Sequence, residues 1–287
     1  MAETNIGIVG LGLVGRALAA FLSRGGDTVA GCDVSPAACA QALAEGVAVC
    51  ADLDDLARRC GTLVLCVLDD AALLAVVGTL ACPQLARPDR LVVNCVTCSP
   101  LAADTTARAL GAIDMPLSGS SEQVRNGGAL GLVGATDVAW SKHAALLQRL
   151  CPRTMRVGGP GAGARAKLAC NLVLGLNRSA LAEGLALAQR LGLEGTTFVD
   201  LLRESPAYSR AVDTAAPRML QRHFSSPGSR INQHRKDLAL ILAEAQAAGL
   251  DLPLARGQTT LLDRAIARGL GELDNAAVFA ALDCTPP

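Results

Sequence analysis

A chain of 287 residues is long enough for roughly two domains, each with a real core. Basic and acidic residues cancel at 26 each, so no net field draws nucleic acid or an anionic membrane, and neither is expected as a partner. No uninterrupted apolar stretch reaches the ~18 residues of a spanning helix. The start "MAETNIGIVG" carries an early acid and no basic run, which is unlike a signal peptide, so a cytoplasmic protein is expected. Eleven cysteines, odd in number and scattered through apolar segments, make a poor disulfide framework. "CVTC" (Cys95 to Cys98) has redox or metal spacing, yet no second pair or nearby histidine accompanies it. Buried thiols and no metal site are expected there. His143, His223 and His234 lack ligand spacing, and surface or helix-packing roles are expected for them.

Taken in chain order, the first part alternates. The short apolar runs "NIGIV", "TVAGCD", "LVLCVL" and "LVVNCV" read as buried parallel strands, hydrophobic on both faces. Helical patterns fall between and after them at 13–24, 36–45, 52–60, 71–80 and 99–109. Ser35 followed by Pro36 fits an N-cap with proline at the first helical position. This alternation predicts a doubly wound α/β sheet of the Rossmann type. After residue 160 the strand signals stop. Helices are predicted at 162–191, 195–204, 209–222, 232–248, 253–269 and 274–282. The expected organisation is a dinucleotide-binding domain over 1–160 and an all-helical substrate and oligomerisation domain over 161–287, joined by a long helix.

Three segments carry chemistry. "GLGLVG" places Gly10, Gly12 and Gly15 in G-x-G-x-x-G spacing directly after a strand and at the start of a helix. Gly10 permits the tight turn, Gly12 lets the backbone approach a pyrophosphate, and Gly15 lets helix and strand pack closely. Leu11, Leu13 and Val14 complete the loop, whose helix N-terminus offers N–H groups to the phosphates. Asp33 follows Gly10 at about the spacing of the acid that binds the adenosine ribose. A carboxylate there accepts from both hydroxyls and repels a 2′-phosphate. The following Val34, Ser35 and Pro36 supply no arginine, so NAD is favoured over NADP. "GPGAGARAKLACN" then sets Lys167 among small residues ahead of an apolar helix, with Asn171 on the same face at i+4. A lysine rarely occupies the buried side of such a helix without a partner or a task. One further step of four reaches Gly175, where a missing side chain leaves room for substrate.

Together these segments resemble the β-hydroxyacid dehydrogenases, the family of 3-hydroxyisobutyrate and tartronate semialdehyde dehydrogenases. "IGIVGLGLVG" with its acid, "DMPLSGSSEQVRNGG", "GPGAGARAKLACN" and "HRKDLALILAEA" occur in the family's order and span nearly the whole chain. The resemblance implies a 6-phosphogluconate dehydrogenase-like helical domain and a nicotinamide cofactor. It implies Lys167 as catalytic lysine with Asn171 beside it, and a small carboxylate-bearing substrate at Ser118, Gly119 and Ser120. Val67, Leu68, Thr97 and Lys236 are implied cofactor contacts. The expected reaction is hydride exchange with a small 3-hydroxy acid or its carbonyl partner, with Lys167 as general acid/base. Imine reductases share the fold but typically replace the lysine. A non-catalytic dinucleotide sensor leaves Ser118, Lys167 and Asn171 without a reason to co-occur. Departures from the family pattern fall at Val96, Ser120, Val124 and Ala129, and they bear on substrate choice. The helical part is apolar and alanine-rich on more than one face, so a homodimer or homotetramer through it is expected.

Overall fold

A computed structural model describes residues 6–87 and 89–282. The chain divides into two compact units, one up to Lys167 and one from Leu168. The first holds β1 (Ile6–Val9), α1 (Leu13–Arg24), β2 (Val29–Cys32), α2 (Pro36–Ala44), β3 (Ala48–Val49), α3 (Leu53–Arg59), β4 (Thr62–Leu65) and α4 (Asp70–Leu80). It continues with β5 (Leu91–Asn94), α5 (Pro100–Leu110), β6 (Ile113–Asp114), β7 (Leu117–Ser118), α6 (Ser121–Arg125), β8 (Leu130–Gly134), α7 (Asp137–Leu150) and β9 (Arg153–Gly158). Then α8 (Ala162–Arg190) begins, and the boundary between the units falls within this helix.

The strands form one sheet in the order β3-β2-β1-β4-β5-β6-β8, with β7 and β9 also paired to β8. The first six run parallel, as the strand–helix alternation predicts. β6 and β7 meet β8 antiparallel in one continuous register, Asp114 opposite Gly134 and Leu117 opposite Gly131. They are one strand interrupted at Pro116, which has no N–H to give to the ladder. Alternation along each strand divides the core between two faces. Ile6, Ile8, Val64 and Val93 pack with Leu18 of α1 and Leu147 of α7. Val9, Leu63, Leu65 and Val92 pack with Leu56 of α3, Leu73 of α4 and Ala102 of α5. Both faces are covered, which is why these strands read as unbroken apolar runs.

Helix starts are set locally. The side chains of Ser35, Asp52, Asp69, Ser99 and Thr136 each accept from the backbone N–H three residues on, satisfying donors that the first turn cannot pair.

The second unit contains the rest of α8, α9 (Gly195–Glu204), α10 (Arg210–Leu220), α11 (Ile231–Ala247), α12 (Pro253–Ala267) and a 3-10 helix at Asn275–Leu282. Its core gathers Leu185, Met219, Ile231, Leu238, Leu262 and Phe279. The last segment matches the helix predicted at 274–282 but winds more tightly. None of the described helices is long and apolar enough to cross a membrane.

Candidate active site

The sheet reverses its winding between β1 and β4, and in open α/β sheets ligands bind at the carboxyl ends of the strands beside such a reversal. The glycine loop lies there. Gly10 follows β1 with φ at +97°, and a Cβ on it would stand 2.7 Å from the Cys66 carbonyl oxygen beyond β4. Neither the conformation nor the space admits another residue. A Cβ on Gly15 would overlap the Gly10 carbonyl oxygen, so this glycine lets α1 press against the loop. At Gly12 the same Cβ meets no protein atom within 4 Å. The backbone is open on that side, at the N-cap of α1, where a pyrophosphate needs room and unpaired N–H groups. The loop therefore fits a dinucleotide. Leu13 and Val14 are half-buried in the first turn of α1.

Asp33 stands just past β2, half-buried. Its Oδ2 accepts from the Leu11 N–H at 2.7 Å and its Oδ1 from the Ser35 N–H at 2.8 Å. An ionised carboxylate has about four acceptor sites, so two remain for ribose hydroxyls. Val34 beside it is fully exposed. Leu11 differs from expectation: its side chain is fully buried against Gly31, and its carbonyl accepts from Arg16 Nη1 at 2.8 Å. With its N–H on Asp33, Leu11 anchors the carboxylate, and its side chain faces the core instead of a ligand. Val67 is half-buried and Leu68 exposed beyond β4, and Thr97 is half-buried beyond β5. Hence the glycine loop, Asp33, Val67, Leu68 and Thr97 all lie at the carboxyl ends of the parallel strands.

Ser118 closes β7 half-buried, and Gly119 follows it exposed. Ser120, expected with them at the substrate, caps α6 in a reciprocal box. Its hydroxyl accepts from the Gln123 N–H at 3.2 Å, while Gln123 Oε1 accepts from the Ser120 N–H at 2.8 Å. Capping is sufficient physical reason for a serine at that position. Val124 is buried beneath this turn, and a Cβ on Gly119 would stand 3.1 Å from the Ala129 Cβ.

At the start of the same motif, Asp114 is a buried acid that the sequence reading passed over. Its Oδ1 accepts from the Gly161 N–H at 2.8 Å and its Oδ2 from the Ala164 N–H at 3.0 Å, so it holds the first turn of α8. Burial raises its pKa above the ordinary carboxylate value, against the opposing pull of those N–H groups. The aspartate opening "DMPLSG" was the available signal.

On α8, Lys167 is 7 % exposed and Asn171, one turn on, 6 %. Within the second unit Asn171 Nδ2 donates to Asp237 Oδ2 at 2.9 Å, and Lys236 Nζ pairs with Asp237 Oδ1 at 2.9 Å. The structure thus joins Asn171 to Lys236 through Asp237, a residue inside the quoted "KDL" that the sequence reading left unassigned. Gly175 is a correction. The space over it is filled, because a Cβ there would overlap His234 Nε2 and lie 2.6 Å from Gln258 Nε2. Gln258 also donates to Ser179 Oγ at 3.2 Å. Gly175 makes room for a buried histidine and glutamine, and the glycine leaves no space for substrate.

The sequence model for the NAD-binding domain of 6-phosphogluconate dehydrogenase matches residues 5–159. That for the NAD-binding region of NADP-dependent 3-hydroxyisobutyrate dehydrogenase matches residues 161–282. The chain belongs to the β-hydroxyacid dehydrogenase family. Among its relatives within the family, L-threonate dehydrogenase of Cupriavidus necator is 28% identical, over 87% of this chain and 86% of the relative. 2-Hydroxy-3-oxopropionate reductase of Escherichia coli is 27% identical over 97% of each chain. Among solved structures, the 3-hydroxyisobutyrate dehydrogenase of Mycobacterium tuberculosis with L-serine superposes with a TM-score of 0.85 at 25% identity, covering 98% of this chain and 99% of that one. An imine reductase from a Pseudomonas species shares the fold at a TM-score of 0.64 and 21% identity, covering 98% and 100%. As a β-hydroxyacid dehydrogenase, the chain is an NAD(P)-dependent oxidoreductase with a Rossmann-type sheet followed by a helical region.

Proposed function

We propose that the protein is an NAD-dependent dehydrogenase of small 3-hydroxy acids, with Lys167 as general acid/base. The observation that carries this reading is a buried lysine one helical turn from a buried, hydrogen-bonded asparagine. The nicotinamide supplies the hydride exchange when bound. Gly10, Gly12, Gly15 and Asp33 hold the dinucleotide, with Val67, Leu68 and Thr97 beside them and Lys236 contributing from α11. Ser118 and the Gly119 backbone bind the substrate carboxylate. Lys167 Nζ takes the proton from the substrate hydroxyl during oxidation and returns one to the carbonyl oxygen during reduction. Asn171, held in place by Asp237, orients the same hydroxyl. Asn171→Ala is expected to lower kcat more than it raises KM, because it removes positioning instead of uniform binding. Equal changes in both would contradict that role.

The names of the relatives set the panel: L-threonate, 3-hydroxyisobutyrate and 2-(hydroxymethyl)glutarate for oxidation, 2-hydroxy-3-oxopropionate for reduction. Absorbance at 340 nm with NAD and NADP reads each reaction. Turnover of at least one hydroxy acid is expected. Reduction of cyclic imines alone would favour the imine reductase reading, and dinucleotide binding without turnover would favour a sensor.

Cofactor choice follows from Asp33 and Val34. The Asp33 carboxylate repels a 2′-phosphate, and Val34 offers it no cation. kcat/KM is expected to be higher with NAD, and Asp33→Ala combined with Val34→Arg should narrow the ratio. An NADP value equal to or above the NAD value in the unaltered protein would refute the assignment.

The helical unit serves as the subunit interface. Val173 and Leu187 of α8 and Leu191 just past it are more than half exposed, apolar side chains that association would cover. Light scattering across micromolar concentrations should give a dimer or tetramer. A mass that stays at one chain of 29.3 kDa would defeat this.

A further inference from the structure

Cys66 and Cys95 stand side by side at the carboxyl ends of β4 and β5, one residue beyond the paired Leu65 and Asn94. There the Cys95 N–H still donates to the Leu65 carbonyl at 2.9 Å. Neighbouring strands lie about 4.8 Å apart, inside the ~4.4–6.8 Å Cα separation that a disulfide accepts. Val64 is level with Val93, so alternation turns Cys66 and Cys95 toward the same face, and both pack in the same core cluster. The Cys66 thiol pushes the Cys95 pKa up, which marks the two as neighbours. Cys98, the other cysteine of "CVTC", instead accepts from Asn94 Nδ2 at 3.6 Å. The pair suggested by spacing in the sequence is therefore not the pair that the fold makes.

We propose that Cys66 and Cys95 form a reversible disulfide that weakens dinucleotide binding. Cys66 is half-buried and Cys95 buried, so a peroxide reaches Cys66 first. The Cys66 sulfur attacks a peroxide oxygen, the O–O bond breaks, and a sulfenic acid and water result. The Cys95 sulfur then attacks the Cys66 sulfur, the S–O bond breaks, and the hydroxyl leaves as water with the Cys95 proton. Two thiols and one hydrogen peroxide give one disulfide and two waters. The neighbouring Cys66 thiol and burial hold the Cys95 thiol well above its ordinary pKa, so Cys66 is the first of the two to react.

Bond formation draws the sulfurs to about 2.05 Å and favours a Cα separation of about 5.5–6 Å, which shifts the two strand ends relative to each other. The Cys66 carbonyl oxygen is the atom against which Gly10 packs, and Val67 and Thr97 leave from these same ends. A shift here is thus delivered to the glycine loop. This consequence rests on the dinucleotide reading above, whereas formation of the bond does not.

The test treats the full chain with hydrogen peroxide, blocks remaining thiols with iodoacetamide, and maps the peptides by mass spectrometry. A cross-linked Cys66–Cys95 peptide that dithiothreitol releases is expected. Alkylation of both residues, or Cys95 linked to Cys98 or Cys151 instead, would overturn the proposal. In parallel, NADH affinity should fall on the order of 10-fold or more on oxidation, the measure of a glycine loop displaced from the pyrophosphate. Cys95→Ala should keep its affinity under the same treatment, and Cys66→Ser serves as the second variant should the first fold poorly. Unchanged affinity in protein that carries the disulfide would overturn the switch. Untreated protein that fails to bind NADH would overturn the dinucleotide reading, a result on which the peptide map does not depend.

Discussion

Replacing Lys167 by alanine is expected to lower kcat by a factor on the order of 10²–10⁴, the usual worth of a positioned proton donor or acceptor, while NADH still binds. Lys167 is 7 % exposed on α8, and burial of an ammonium costs stability except as a partner offsets it. Folded protein that binds NADH but turns over slowly is an outcome that a purely structural lysine would not give. The Lys167→Arg variant keeps the charge but holds its proton too tightly to exchange it, so it should resemble alanine in kcat. Steady-state rates, an NADH fluorescence titration and a thermal melt measure the three quantities. Near-normal turnover in Lys167→Ala would remove this residue from the chemistry.

Gly15→Ala should impair both folding and dinucleotide binding, whereas Gly12→Ala should impair binding alone. A methyl on Gly15 would overlap the Gly10 carbonyl oxygen, which belongs to the backbone and cannot swing aside. α1 has to lift off the loop, at a cost of about 1–3 kcal/mol for overpacking of this kind. The N-terminal amides then leave the position that a pyrophosphate needs. A methyl on Gly12 meets no protein atom within 4 Å, so the melting temperature should hold. It would project into the space in which the phosphates sit, and NADH affinity should fall at least ~10-fold. Full affinity in Gly12→Ala would mean that the pyrophosphate does not lie over the loop.

Much of this arrangement was legible in the sequence because its signals are local. Ser35 before Pro36, the four apolar runs and the glycine spacing each act within a few residues, and the structure has the strands and helices where they point. The segment from 110 to 160 was legible only as a motif. β6 and β7 are two residues each, split by Pro116, and neither is long enough to show a period of two. β9 alternates exposed and half-buried residues with arginines among them, and so lacks the apolar run of a buried strand. α7 carries a local signal, Thr136 capping before Asp137.

The functional residues divide in the same way. Lys167 and Asn171 are four apart on one helix and could be paired by counting. Asp237 meets Asn171 across 66 positions, a distance over which no spacing rule operates. Gly175 shows the reverse hazard. An absent side chain looks like space in a sequence, but in the fold that space belongs to His234 and Gln258, from two other helices.

The central claim is that hydride passes between a substrate carbinol carbon and the nicotinamide in this chain, and an isotope reads it directly. The most active hydroxy acid of the panel, deuterated at that carbon, is incubated with the enzyme and NAD, and the NADH formed is weighed by mass spectrometry. The account predicts one deuterium in the nicotinamide ring and none in the solvent. Unlabelled NADH, with the deuterium recovered in water, would contradict it.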